Sequence, residues 1–67
     1  MTDFAMDFVI ARMDDEIGEQ RAGLRYYVHL HGRHHNESIR AHEAIRVLRI
    51  FRSELIRSSG WKPRLAA

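Results

Sequence analysis

An all-α protein, built as an antiparallel two-helix hairpin that dimerises into a four-helix bundle, is the fold this sequence predicts. Three observations predict it. Apolar residues recur at alternating spacings of four and three along two stretches. A single short, glycine-containing segment separates the stretches, so the helices are expected to be antiparallel neighbours. The chain has 67 residues and no cysteine. A core of that size is marginal without disulfides, metal or a second subunit, and disulfides and thiolate zinc sites are excluded.

The first helix is expected over about 3–31. Its seam is Met6, Ile10, Met13, Ile17, Gln20, Leu24, Tyr27 and His31, a heptad pattern with two polar or titratable members. Phe4, Phe8, Val9 and Ala11 widen the stripe at its start. Gly18 and Gly23 each weaken a helix by about 1 kcal/mol relative to alanine. A break at Asp14-Asp15 is the alternative to one long helix, and the long helix is preferred. Small residues at Ala11, Gly18 and Ala22 offer a place where another helix can approach closely.

His31-Gly32-Arg33-His34-His35-Asn36 reads as the turn, centred on 32–36, with Gly32 in the left-handed conformation that ends a helix. Asn36 or Ser38 is the expected cap of the next helix. That helix is expected over about 37–58, with the seam Ala41, Ala44, Leu48, Phe51 and Leu55, flanked by Ile45 and Val47. Ser59-Gly60-Trp61 reads as its stop, with Gly60 left-handed and Trp61 folded back on Leu55 or Ile56. Pro63 prevents continuation, and 62–67 is expected to be a loose tail.

Net charge is +2, but its distribution is uneven. Residues 1–20 hold six acids against Arg12, whereas residues 21–67 hold ten basic residues against Glu37, Glu43 and Glu54. The hairpin places the acidic start of the first helix beside the basic end of the second, which favours the antiparallel arrangement. Two helices cannot cover both stripes. A homodimer covers most of the remainder and leaves Ile39 and Ile50, eleven residues apart and close to three turns, as one apolar line.

The motifs exclude more than they specify. There is no phosphate-binding glycine loop, nucleophile elbow or Cys/His pair, so the chain is read as a non-enzyme with no cofactor. The longest apolar run, residues 8–11, is far too short to span a membrane, and no leader pattern opens the chain. The expected location is the cytoplasm, with no membrane partner. His29, His31, His34, His35 and His42 crowd the turn. His31 and His35 have the i,i+4 spacing of two-histidine metal sites, but a polar turn accounts for them without metal. Asp14, Asp15, Glu16 and Glu19 point around the helix and read as a solvated acidic face.

The functional expectation is a homo-oligomeric helical regulator, adaptor or inhibitor that binds another protein, of the kind phage or mobile elements encode. Its contact residues are expected to be Ile39, Arg46, Ile50 and Arg57, an apolar line with arginine flanks, and Tyr26, an aromatic off the seam. The alternatives are an RNA- or DNA-binding hairpin dimer, or a binder of a phosphate-rich ligand such as a cyclic nucleotide, held by the arginines and Tyr26. The ending Leu65-Ala66-Ala67 resembles the end of a bacterial degradation tag. That resemblance covers three residues and implies a bacterial or phage protein with a short lifetime.

Overall fold

The computed structural model describes residues 3–63. Two helices, α1 (Asp3–His31) and α2 (Asn36–Ser59), pack against each other as a hairpin. α1 is continuous, so neither Asp14-Asp15 nor the two glycines interrupt it. The expected approach of a helix to Ala11, Gly18 and Ala22 does not occur within the chain. All three are exposed, and a Cβ on Gly18 would meet nothing within 4 Å.

The turn is built as glycine chemistry demands. Gly32 has φ 84°, and its N–H donates to Val28 O at 2.9 Å. Gly60 closes α2 in the same way, with φ 71° and a 3.0 Å bond to Ile56 O. The α2 N-cap is not Asn36 or Ser38. It is His35, whose Nδ1 accepts the Glu37 N–H at 3.2 Å. Ser38 joins the helices instead. Its hydroxyl is buried and donates to Gly32 O at 2.8 Å. This bond ties the first turn of α2 to the end of α1 and satisfies both groups.

The core is small. Met6, Ile10 and Ile17 from α1 meet Ala41 and Ile45 from α2, and these are the buried apolar side chains among the described residues. The α1 seam runs as expected through Leu24 and Tyr27, which are half-buried, but ends before His31, which is exposed. The α2 seam is rotated by one position. Residues 38, 41, 45, 48 and 52 face α1, so Ile45 is buried while Phe51 is 63% exposed. The rotation brings Arg52 to Asp14, with Nε–Oδ1 at 2.7 Å, which is the expected pairing of acidic start and basic end. It also places Ser38 over Gly32. Trp61 does not fold back on its own helix. It crosses to α1, where its indole N–H donates to Asp7 Oδ1 at 2.7 Å. Residues 64–67, with the Leu65–Ala67 ending and most of the expected tail, lie outside the described residues.

The hairpin is one helix thick. Its extents are 43 × 25 × 14 Å. The length matches a helix of 29 residues at about 1.5 Å per residue, and the thickness is close to the roughly 10–12 Å diameter of a single helix with its side chains. Its radius of gyration is 14.6 Å, against about 11 Å for a compact domain of this length. Both broad faces of this slab lack a second layer.

Candidate interaction surfaces

Asp7, Ile10 and Asp14 on α1 border Trp61 on one broad face, while Phe8, Val9 and Met13, at the same level, border Leu48 on the other. The second face carries an open groove of about 320 Å³, lined by Phe8, Val9, Arg12, Met13, Glu16 and Leu48. Phe51 lies three residues beyond Leu48 and Leu55 seven beyond, so the apolar surface continues along α2. Phe8 and Phe51 are both exposed. We call this the aromatic face.

The opposite face divides along its length. At the open end, Asp7 holds Trp61 and Asp14 holds Arg52. Arg21 follows Asp14 on the same heptad line, and Val28 follows Arg21. Val28, Leu24 and Ile39 supply the apolar lining of a second groove at the turn end, about 380 Å³, with Arg33, Ser38, His42 and Glu43 as its polar lining. Arg49 stands seven residues after His42 and three before Arg52, so it shares this side of α2. Arg21, Arg25, Arg33 and Arg49 make no ion pair among the described residues, while the acid Glu43 is already bonded to Arg46 at 3.1 Å. We call this the arginine face.

The residues anticipated from sequence as a partner site do not all converge. Ile39 and Ile50 are about half exposed, and Ile50 stands nine residues, an odd number of half turns, from buried Ala41. They therefore lie on the outer edge of α2. Arg46 and Arg57 flank them, but each is paired on its own helix, with Glu43 and Glu54 respectively. The strip is thus closer to neutral than the arginines alone suggest. Tyr26 lies nine residues from buried Ile17 and points away from α2, on the opposite edge of the slab. Its ring meets Tyr27 edge-on, centroids 5.6 Å apart. Nothing brings it to the Ile39–Ile50 strip. Sequence reasoning misses the unpaired arginines and the turn-end groove. A signal for the arginines exists, because Arg21, Arg25 and Arg49 have no acid at the three- or four-residue spacing that favours ion pairs within a helix.

The histidines make a stacked pair rather than a chelate. The His31 and His35 rings lie 4.3 Å apart at 24°. Stacked imidazoles turn their π faces, not their in-plane lone pairs, toward each other, and His35 Nδ1 is engaged in capping. A shared metal would require a ring to swing out and the cap to break. Among the described residues, no three His, Asp or Glu side chains form a group that could hold a metal ion. No described helix is long and apolar enough to cross a membrane. The chain matches no family model, no curated protein and no solved structure.

Proposed function

We propose that this chain is a non-enzymatic, homodimeric protein-binding module, an adaptor or inhibitor, whose aromatic face holds a second copy and leaves the rest of the surface for another protein. The observation that supports it is surface area. A compact protein of 7.9 kDa exposes about 4,400 Å² by size scaling, and this chain exposes 5601 Å². The excess of roughly 1,200 Å² exceeds the roughly 800 Å² per partner of a standard interface. Among the described residues, eight large apolar side chains are exposed, against five buried apolar ones. Placing two hairpins face to face supplies the missing second layer and makes a four-helix bundle.

Self-complementary charge favours a second copy on this face. Arg12 and Glu16 both line the aromatic groove, and Arg12 makes no ion pair among the described residues. A two-fold axis through the groove sets Arg12 of one copy against Glu16 of the other, twice over. The test is a charge swap read by sedimentation equilibrium. Arg12→Glu and Glu16→Arg each weaken the dimer, and the double variant restores it. A wild-type chain that stays monomeric at low micromolar concentration removes the proposal. The Ile39–Ile50 edge, with Arg46 and Arg57, remains outside such a dimer and belongs to the surface offered to a different protein.

A further inference from the structure

We propose that the groove at the turn end of the arginine face holds an acidic amphipathic helix of a partner protein. The apolar stripe of that helix lies on Leu24, Val28 and Ile39, and its carboxylates face Arg21, Arg25, Arg33 and Arg49. This rests on the reading of the chain as a protein-binding module and gives the chemistry of its partner.

The charge is the first argument. Arg40, Arg46, Arg52 and Arg57 each have an acid, and all four of those paired arginines lie on α2. The four named for the groove have none among the described residues. Arg33 lines the aliphatic depression itself, and Arg21, Arg25 and Arg49 stand one or two helical turns from its lining residues. Like charges gathered around an apolar surface repel one another without return inside the chain, and an acidic partner removes that repulsion.

The shape is the second argument. The groove runs between the last turns of α1 and the first turns of α2. Arg21 and Val28 are seven residues apart, about 10 Å along the axis. Two to three turns of a third helix cover that span, with anchors at i, i+3/i+4 and i+7 in the helix-in-groove mode. The apolar floor of Leu24, Val28 and Ile39 is aliphatic, and the one ring in the lining is the imidazole of His42, against the several aromatic platforms on which strands of bases stack. The exposed Tyr26 points toward the opposite edge. A polyanion recognised by charge alone has no use for the apolar floor, so a protein helix is favoured over nucleic acid. All lining residues come from one chain, so the groove exists whether or not the aromatic face dimerises.

The test uses the full chain and a fluorescent, alanine-rich helical peptide of about 18 residues, with leucines on one face and glutamates on the other. Control peptides carry lysine for glutamate, or serine for leucine. A single-stranded RNA and a duplex DNA are titrated in parallel. The glutamate–leucine peptide is expected to bind at least about tenfold more tightly than either control peptide or either nucleic acid. Arg25→Glu with Arg33→Glu should lose about tenfold for the glutamate peptide and gain for the lysine peptide, with unchanged helicity. Ile39→Ser should weaken the glutamate peptide as well. Equal binding of the lysine peptide, nucleic acid binding as tight as the peptide, or no saturable binding overturns the proposal. So does a change of sedimentation mass in the arginine variants, which would assign those arginines to a second copy through its exposed Asp15 and Glu19. Failure of the dimer alone, with peptide binding intact, overturns the proposed self-association and leaves this groove standing.

Discussion

The two broad faces of the hairpin leave different things unsatisfied. On the aromatic face, Phe8, Phe51 and their neighbours are in contact with water, and a single cation and anion, Arg12 and Glu16, sit within the apolar lining. On the arginine face, the open end is closed by Trp61–Asp7 and Arg52–Asp14, and the turn end carries four arginines that make no ion pair among the described residues, its acid Glu43 being bonded to Arg46. The first face lacks apolar cover, which any complementary apolar surface supplies and a second copy supplies most simply. The second lacks negative charge, which a copy of the chain supplies only through its acidic α1. On the proposed reading, the two faces of the thin slab serve two kinds of partner without competition.

The largest effect is expected where both faces depend on the layer between them. Ile45→Ala, at the buried centre of α2, should cost about 2–5 kcal/mol by denaturant titration, as large-to-small core changes do. Phe51→Ala sharpens the contrast. In an isolated hairpin an exposed ring contributes little, so its cost should appear only at protein concentrations where the dimer forms. A Phe51→Ala loss that is independent of concentration would move Phe51 from the aromatic interface into the fold of one chain.

Smaller effects separate the turn from the faces. His35→Ala removes the α2 cap and should cost about 1 kcal/mol, whereas His35→Asp keeps an acceptor there and should cost less. Gly18→Ala should stabilise α1 by about 1 kcal/mol in a thermal melt, since the added Cβ meets open space. A loss instead would show that a partner helix packs on that glycine. Arg52→Met should cost only a few tenths of a kcal/mol, because water around the exposed Asp14 screens the pair. Arg21→Ala and Arg49→Ala should be smallest of all, within about 0.5 kcal/mol, while altering peptide binding.

Most of the hairpin is legible in the sequence because its determinants are local. The seam of α1 follows from spacing, and Gly32 and Gly60 mark positive φ where the chain must stop a helix. The rotation of α2 is not legible. Ala44 and Ile45, or Phe51 and Arg52, are adjacent in sequence, and spacing alone tolerates either as the inward residue. The choice depends on contacts between the helices: Ser38 with Gly32 and Arg52 with Asp14. The same limit applies to the partner strip. Periodicity puts Ile39 and Ile50 on an outer line, but it does not show that Arg46 and Arg57 are paired, nor that Arg33 and Val28 come together across the turn.

The chain has one tryptophan, and it bridges the ends of the hairpin. The Trp61 indole meets Asp7 across a separation of 54 residues. That makes its emission a local optical probe of the open end, while far-ultraviolet ellipticity reports the helices as a whole. If unfolding begins by fraying at the open end, the fluorescence should shift to the red before helicity falls. If the turn releases first, the two signals should change together, because Trp61 keeps its carboxylate until the hairpin comes apart. Stopped-flow traces of the two signals on one sample would reveal the order in which this hairpin unzips.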